Sequence, residues 1–333
     1  MTRCNIPYQL VNYCEIDKYA SKAYSLIHNV KEELNLGDIT KVNENELLDF
    51  DLMTWGFPCQ DISIAGKQKG IIQGETRSGL YYEGLRILKY KKPKYSIIEN
   101  VKGLTQKRFK KQFEQILQDL NNIGYNNYWQ VLNAKDYGVP QNRERVFIVS
   151  IRKEVIQEYK FPKSFECQKN LVDLLEKEID FKYCHTTKGR LYMDREVKDG
   201  RTHWDFGHHH DTDIKYSKCI TTNCYKSVPY NVLIDRRGCK FGLFDCDFIY
   251  DYDGFCKYCI DYCNFQMENY PSLGIRKLTP LECFRLMGFD DQDYYILKEN
   301  KLSNTQLYKM SGNSIVVNVL EEIFKNLFLH IDS

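Results

Sequence analysis

The chain has 333 residues, enough for one large domain or for a large domain with a smaller one. Hydrophobic residues make up 43% of it and the formal net charge is +2, so its composition indicates a globular protein and neither favours nor excludes nucleic acid. No apolar run approaches the roughly 20 residues that span a bilayer, and the first residues do not resemble a signal peptide. We therefore expect a cytoplasmic protein whose 13 cysteines are mostly reduced thiols.

Two changes of composition divide the chain into three parts. Residues 1–152 alternate apolar, strand-like runs with amphipathic helical runs, which is typical of an α/β fold with a parallel sheet and crossover helices. Residues 153–275 are rich in Tyr, Cys, His, Asp and Lys and have no sustained helical period. Helical periodicity returns over residues 276–333.

The first part predicts individual elements. Apolar runs predict strands at residues 8–16, 52–55, 95–101, 128–132 and 146–151. Amphipathic spacing predicts a helix over residues 18–28. A second helix is predicted by one apolar stripe, made of Phe109, Phe113, Ile116, Leu117 and Leu120.

Three side chains with useful chemistry, Glu15, Cys59 and Glu99, lie at the carboxyl ends of predicted strands. In a parallel sheet these ends share one edge, where ligands and catalytic groups gather, so we expect the three to face one cleft. A cysteine there can act as a nucleophile once its proton is removed, although most free cysteines are small buried hydrophobes. Acidic residues also end strands merely because loops are solvated, so the three together favour a site more than any one of them does.

Several short motifs occur along the chain. In chain order they are Gly56-Phe57-Pro58-Cys59-Gln60, Glu99-Asn100-Val101, Gln141-Asn142-Arg143-Glu144-Arg145 and Gly312-Asn313-Ser314. In order and spacing they resemble the DNA cytosine-C5 methyltransferases. The chain is also similar to that family at Glu15-Ile16-Asp17, Gly37-Asp38-Ile39-Thr40 and Arg276-Lys277-Leu278-Thr279-Pro280.

The resemblance implies a domain organisation. An S-adenosylmethionine-dependent, Rossmann-like α/β catalytic domain would occupy residues 1–152, and a smaller, irregular target-recognition domain would occupy residues 153–275. The segment 276–333 would return to the catalytic domain, its last helix packing there through an apolar stripe of Ile315, Val319, Ile323 and Leu327.

The resemblance also implies a role for each catalytic residue. Cys59 would add to C6 of a cytosine flipped out of the duplex, which activates C5 toward the methyl group of S-adenosylmethionine. Glu99 would hold a proton against N3, a role that needs a carboxyl group with a raised pKa. Arg145 would hydrogen-bond O2 of the base. Arg143 would orient the site or pair with Glu99.

Further residues would bind the cofactor and DNA by the same resemblance. For S-adenosylmethionine, Glu15 would hold the ribose hydroxyls, Ile16 would pack on the adenine and Asp38 would meet its amino group. The remaining cofactor contacts would be Ile39, Pro58, Asn313 and Val316. Residues assigned to DNA are Gln60, Ser63 and Lys67, on a mobile loop, and Thr221 and Thr222, in the target-recognition region. Further candidates for phosphate or guanine contacts are Lys226, Arg236, Arg237 and Lys240.

Cysteines in the middle part raise a zinc hypothesis. Cys256-Lys257-Tyr258-Cys259 forms one ligand pair, with three further cysteines nearby, Cys239, Cys246 and Cys263. A structural zinc site usually needs two such pairs. The run His208-His209-His210 could supply a ligand but is more typical of an exposed loop. We therefore predict no metal.

The resemblance has a gap at the amino end. The family begins with a strand and a Phe-x-Gly-x-Gly turn that meets the methionine part of the cofactor, about 20 residues before the ribose-binding acid. Because that acid corresponds to Glu15, the turn would fall before Met1. We therefore expect a sheet that lacks its first strand and a chain that folds or binds cofactor poorly by itself. A misassigned start codon, a split gene or a decayed gene would explain the gap.

The leading interpretation is a methyltransferase of double-stranded DNA, of restriction-modification or phage type. Its candidate partners are a cognate restriction endonuclease acting separately and a chain that supplies the missing motif; no membrane partner is expected. Two alternatives stay open. One is a transfer RNA cytosine-C5 methyltransferase, which the sizeable middle part disfavours. The other is a catalytically silent DNA-binding remnant, or one subunit of a split enzyme.

Overall fold

The computed structural model describes residues 1–59, 70–177, 179–186, 196–198, 201–202, 209–211, 215–222, 224, 232–234 and 271–329. Their helices are α1 Lys18–His28, α2 Tyr81–Lys91, α3 Lys110–Asn122, α4 Pro280–Leu286, α5 Asp291–Glu299, α6 Asn304–Asn313 and α7 Val317–Phe328. Their strands are β1 Leu52–Gly56, β2 Tyr95–Val101, β3 Tyr125–Asn133, β4 Gln141–Asn142, β5 Glu144–Arg152, β6 Cys184–Thr186, β7 Glu196–Lys198, β8 Arg201–Thr202, β9 His209–Asp211, β10 Ser217–Lys218, β11 Val232–Ile234 and β12 Pro271–Lys277.

The chain divides into two compact units. Unit 1 comprises Met1–Tyr137, Glu144–Phe165 and Asn318–Ser333, and unit 2 comprises Gly138–Arg143 and Glu166–Val317. Within the described part of the chain, no helix has the length and apolar character that crossing a membrane requires.

Local sequence signals in the first part are confirmed for the two helices and four of the five strands. Helix α1 begins after Asp17, whose carboxylate accepts hydrogen bonds from the backbone N–H groups of Tyr19 and Ala20, and ends before Asn29 in the left-handed region. Strand β2 has the predicted bounds, whereas β3 and β5 extend beyond theirs.

The strand predicted at residues 8–16 is wrong. In that stretch the only ladder contact is one isolated parallel bridge, between Tyr13 and Asn35. A strand needs a neighbour that pairs along its length, and an apolar run cannot show by itself whether one is available. The expected loss of a first strand stays a prediction.

The sheet of unit 1 has the order β1-β2-β5-β3 and is mixed, not parallel as predicted. Strand β1 pairs parallel with β2, whereas β5 runs antiparallel to both β2 and β3. The reason lies in the connections. Helices α2 and α3 lead back to parallel strands, whereas β3 and β5 are joined by a short connection, which suffices only for antiparallel neighbours.

Helices α2 and α3 cover one face of this sheet with apolar side chains. The largest buried members include Leu88, Ile98, Ile116, Leu120 and Tyr125. Gly84 of α2 lies against Trp55 of β1, and a Cβ added to Gly84 would fall 2.2 Å from the indole ring. This contact places α2 close to the strand that leads to Cys59.

The last helix, α7, contacts other segments of unit 1. Cys4 donates to the backbone oxygen of Glu321 at 3.6 Å, and Gln157 donates to that of Leu327 at 2.7 Å. The ring of Phe328 lies edge-on to Tyr95, with centroids 5.2 Å apart. These contacts hold α7 against unit 1. The return of the whole segment 276–333 to a catalytic domain stays a prediction.

Unit 2 contains a four-stranded sheet of order β6-β12-β11-β9, the short pair β10-β4 and helices α4 to α6. A fully enclosed ion pair joins β12 to α4, with Arg276 donating to both oxygens of Glu282 at 2.8 Å. Thr279 and Glu282 also form a capping box at the start of α4. Because each charge has its partners, this buried group is stable only as a complete set.

Candidate active site

The turn after β1 holds Cys59 through backbone contacts. The carbonyl oxygen of Phe57 accepts from Asn100 Nδ2 at 3.1 Å, and that of Pro58 accepts from Ser78 Oγ at 2.5 Å. The Phe57 ring is buried against Tyr81, with centroids 5.5 Å apart. The backbone before Cys59 is therefore fixed on both sides, while the cysteine itself is only half-buried.

Glu99 and Arg145 form an ion pair on neighbouring strands. Arg145 Nε lies 3.0 Å from Glu99 Oε1, and the side chains are 19% and 17% exposed, respectively. In the ladder Glu99 pairs with Phe147 and Val101 pairs with Arg145, so the two charged residues are diagonal neighbours on one face. A carboxylate and a guanidinium, both largely shielded from solvent, thus lie side by side.

The direction of β5 explains why these two residues meet. Glu99 lies near the carboxyl end of β2, and Arg145 lies at the beginning of β5. Since β5 is antiparallel to β2, its beginning reaches the carboxyl end of β2. A parallel β5 would have carried Arg145 to the opposite edge.

Gly56 brings the turn before Cys59 to the same edge. It pairs with Glu99 in the β1–β2 ladder. A Cβ added to Gly56 would lie 3.1 Å from the Glu99 backbone oxygen and 3.8 Å from Glu99 Oε2. The bare glycine therefore leaves room beside the carboxylate. The grouping of Glu15, Cys59 and Glu99 in one cleft stays a prediction.

Glu15 does not lie at the end of a strand. Its backbone is instead held by the segment that carries Asn35. Both backbone groups of Glu15 bond to the side chain of Asn35, with N–H to Oδ1 at 2.9 Å and oxygen to Nδ2 at 2.8 Å. Its carboxylate accepts from the backbone N–H of Asp17 at 2.8 Å. The Ile16 side chain between them is 76% exposed, an apolar surface available to a ligand.

Asp38 begins a short 3₁₀ turn that includes Ile39. Its Oδ1 accepts from the backbone N–H of Thr40 at 3.0 Å and from the Thr40 hydroxyl at 2.8 Å, and these bonds lower the pKa of the Asp38 carboxyl. The group is therefore an anion at neutral pH. A carboxylate has about four lone-pair positions, so Asp38 can also accept from a ligand amino group.

Arg143, in unit 2, has a different environment from Arg145. It is 4% exposed, and its guanidinium donates to the backbone oxygens of Ile220 at 2.8 Å, Gly312 at 3.2 Å and Ser314 at 2.8 Å. The ion pair described above for Glu99 is with Arg145, and the alternative role of Arg143 as its partner stays a prediction. The carbonyl contacts suit an orienting role.

The predicted DNA residues Thr221 and Thr222 lie against the Gly-Asn-Ser motif within unit 2. A Cβ added to Gly312 would fall 2.2 Å from Thr222 N and 2.3 Å from Thr221 C, so only glycine admits this approach. Asn313 ends α6, and the buried Val316 directly precedes α7. The structure thus brings the predicted DNA residues next to a motif that is predicted to contact the cofactor.

The sequence assigned no role to three buried polar residues near these segments. Gln141 is fully buried, donating to the oxygen of Leu286 at 2.5 Å and accepting from Ile220 N–H at 2.8 Å. Asn100 and Ser78 hold the turn before Cys59. Membership of the motifs marked Gln141 and Asn100 as candidates, whereas nothing in the sequence singled out Ser78.

Several predicted contacts lie outside the described residues. For DNA they are Gln60, Ser63, Lys67 and the basic residues Lys226, Arg236, Arg237 and Lys240. The cysteines of the zinc hypothesis, from Cys239 to Cys263, also lie there. These predictions stand as made, and metal analysis of the purified protein would check the last.

A family model described as C-5 cytosine-specific DNA methylase matches residues 2–329. The chain belongs to this family. The resemblance drawn from the motifs is therefore confirmed, and the protein is a member of the DNA (cytosine-5-)-methyltransferases. Members of the family use S-adenosylmethionine.

Relatives of this methyltransferase include phage and bacterial proteins. It is 30% identical to the orphan methyltransferase M.SPRI of Bacillus phage SPR over an alignment 407 positions long, gaps included, which covers 97% of this chain and 92% of the relative. It is 38% identical to the type II methyltransferase M2.ScrFI of Lactococcus lactis subsp. cremoris over 298 residues, covering 88% and 71%. These names place the chain among relatives from restriction-modification systems and phages.

Solved structures show the same fold. The Dnmt2 methyltransferase of S. pombe matches with a TM-score of 0.67 at 20% identity, covering 100% of this chain and 94% of that one. At this identity the likeness supports the fold alone, and the methyltransferase fold class predicted from the motifs is confirmed.

Proposed function

We propose that this chain methylates C5 of a flipped cytosine in double-stranded DNA through a covalent bond between Cys59 and C6 of the base. The observation that carries the proposal is the Glu99–Arg145 pair at the sheet edge where the Gly56–Cys59 turn begins. A nucleophile, a carboxyl group and a guanidinium are the groups that C5 activation needs.

Each residue has one task in the proposed reaction. The Cys59 sulfur, as thiolate, adds to C6 and the electron pair of the C5–C6 double bond moves toward N3 and O2. Glu99 holds a proton at N3, and Arg145 donates hydrogen bonds to O2, where negative charge develops. Once C5 has gained the methyl group, a base removes the proton that C5 still carries, and the electrons of that C–H bond re-form the C5–C6 double bond and expel Cys59 as thiolate.

The described residues of unit 1 fit the adenosine part of S-adenosylmethionine. This cofactor supplies an electrophilic methyl group to C5. Glu15 offers carboxylate oxygens for ribose hydroxyls, Ile16 offers an exposed apolar side chain for the adenine and Asp38 offers an anionic acceptor for its amino group. Ile39 and Pro58 are proposed as further contacts there. In unit 2, Asn313 and Val316 are proposed to border the methionine part.

The remaining roles follow the family. Arg143 is proposed to orient its segments, and Thr221 and Thr222 to contact DNA, as are Gln60, Ser63 and Lys67. A separate chain that completes the cofactor site and a cognate restriction endonuclease stay predictions.

The test is methyl transfer from labelled S-adenosylmethionine to double-stranded DNA by the purified chain. We expect incorporation by the wild type that is weak, in line with the impairment predicted from the sequence, loss to background in Cys59→Ser, and the wild-type level in Cys167→Ser. Strong incorporation by the wild type alone would refute the predicted impairment and leave the role of Cys59 in place. Cys167 is a buried thiol that donates to the Lys169 oxygen, so serine there controls for the substitution itself. Incorporation unchanged in Cys59→Ser would refute the proposed nucleophile.

A second measurement tests the covalent step itself. In DNA carrying 5-fluorocytosine, the fluorine at C5 cannot leave as a cation, so the adduct should accumulate as a denaturation-resistant complex with wild type and not with Cys59→Ser. Transfer RNA offered in the same assay separates the two nucleic-acid substrates. Methylation of transfer RNA and not of DNA would replace the proposed substrate and leave the cysteine chemistry in place.

A further inference from the structure

Asn35 is a polar residue of unit 1 to which neither the motifs nor the proposed reaction assigns a role. It lies just before Gly37-Asp38 and is distant in sequence from Glu15. Its Oδ1 accepts from the backbone N–H groups of Glu15 and Gly37, each at 2.9 Å. Its Nδ2 donates to the Glu15 oxygen at 2.8 Å and to Ser21 Oγ at 2.9 Å. An amide side chain has two donor and two acceptor positions, and here all four are used.

These bonds join two segments that are proposed to hold one nucleoside. One segment carries Glu15 and Ile16, and the other carries Gly37 and Asp38. Both backbone groups of Glu15 bond to the one amide, and the same amide oxygen also holds the N–H of Gly37, whose φ of +69° suits glycine. The distance between the ribose-binding carboxylate and the adenine-binding carboxylate therefore depends on Asn35.

The position of Glu15 depends on Asn35 all the more because few backbone hydrogen bonds hold the segment before Glu15. The chain before Glu15 forms one isolated bridge, in which Tyr13 N–H bonds to the Leu34 oxygen at 3.1 Å and Leu36 N–H bonds to the Tyr13 oxygen at 2.7 Å. A full strand would set the register of such a segment by itself. With one bridge, side-chain bonds must carry part of that task.

The other side of the Asp38 turn is held independently. Arg86 of α2 donates to the backbone oxygens of Ile39 at 3.1 Å and Val42 at 3.0 Å and pairs with Glu44 and Glu83. Arg86 thus anchors the turn to α2, whereas Asn35 links the turn to Glu15. The two residues have separable effects.

We propose that Asn35 is a positioning residue for the adenosine half of the methyl-donor site, acting by setting the spacing of Glu15 and Asp38. This inference rests on the proposed function, which assigns that pair to the nucleoside. Its chemical consequence is selective. Loss of Asn35 weakens binding of any ligand that carries adenosine, whether or not the ligand has a methionine part.

Two substitutions separate the bonds. Asn35→Asp keeps both acceptor contacts but places an oxygen against the Glu15 carbonyl, whereas Asn35→Ala removes all four contacts. Asn43→Asp is the matched control, because Asn43 is an exposed loop residue whose amide bonds only to its neighbours Asn45 and Glu46.

The measurement is calorimetric binding of S-adenosylhomocysteine and of 5′-deoxy-5′-methylthioadenosine to the full chain. We expect Asn35→Asp to weaken both ligands by the same factor, about tenfold, with Asn35→Ala weaker still and Asn43→Asp unchanged. The binding stoichiometry reports the folded fraction, so a loss of stoichiometry at unchanged affinity would mean a purely structural role and overturn the inference. In turnover, KM for S-adenosylmethionine should rise at unchanged kcat.

The outcomes also separate this inference from the proposed function. Wild type that binds neither ligand and transfers no methyl group would defeat the proposed function. Wild type that binds both, with Asn35→Asp binding equally well, would defeat only the role of Asn35. Weakening confined to S-adenosylhomocysteine would place the effect in the methionine half and also overturn it.

Discussion

Arg143 and Arg145 belong to one short motif and lie two residues apart, yet their surroundings differ in almost every respect. Arg143 is enclosed in unit 2 and donates to three backbone oxygens. Arg145 is partly exposed in unit 1 and faces the Glu99 carboxylate. A guanidinium that donates to several backbone oxygens, as in Arg143, can hold segments together. A guanidinium beside a partly exposed carboxylate, as in Arg145, can also donate to a bound base. We therefore expect the two arginines to have different roles, set by their environments and not by their residue type.

The largest expected effect is on catalysis at Arg145. Arg145→Lys keeps the charge but loses the planar fork toward O2, so we expect kcat to fall about 10²–10³-fold with a thermal midpoint within about 2 °C of wild type. Arg152→Lys, at the far end of the same strand, should retain full activity, because Arg152 bonds to the Lys92 oxygen and to Glu154. A large fall in thermal midpoint for Arg145→Lys would break the division of roles.

The next effect is on stability at Arg143. Lysine cannot reach three separate carbonyl oxygens, and buried acceptors left without donors cost about 1–3 kcal/mol each. We expect Arg143→Lys to lower the thermal midpoint by about 4–8 °C, with a smaller loss of kcat than in Arg145→Lys. Scanning calorimetry checks the first and initial rates check the second. If Arg143→Lys instead lost kcat with an unchanged thermal midpoint, Arg143 would take part in the reaction itself.

Gly312 sharpens the comparison, because its backbone oxygen is one of the three that Arg143 holds. In Gly312→Ala the added methyl would meet the Thr221–Thr222 backbone, and overpacking of this kind costs about 1–3 kcal/mol. We expect a midpoint lower by about 2–6 °C. An unchanged midpoint would show that these segments separate easily and that Arg143 does not hold them.

The smallest effect concerns Thr279, a structural residue of unit 2 without a role in the chemistry. Thr279→Ala removes the hydroxyl that accepts from Glu282 N–H at 3.2 Å at the start of α4 and donates to the Glu176 carboxylate. Loss of a helix cap costs about 1 kcal/mol, so we expect a midpoint lower by about 2 °C and unchanged kcat. A loss of kcat would show that the capped helix also supports the reaction.

Local chemistry explains which parts of the fold could be predicted. The bounds of α1 and β2 follow from an Asp cap and from a short strand-like run around Ile97 and Ile98, signals that act over a few residues. The strand at residues 8–16 failed because pairing depends on a distant partner. The same dependence hid Asn35, whose importance comes from bonds to a segment 20 residues away.

The sequence by itself determined the family, because the motifs are short runs of residues that can be read in order along the chain without knowing how it folds. It also determined that Cys59 follows a strand, since an apolar run followed by Gly-Phe-Pro ends locally. Only the tertiary structure decided that β5 runs antiparallel to β2, which brings Arg145 to Glu99. Only the tertiary structure, too, enclosed Arg143 and left Arg145 partly exposed. Strand direction and burial are set by contacts between segments far apart in sequence, and a motif contains no record of them.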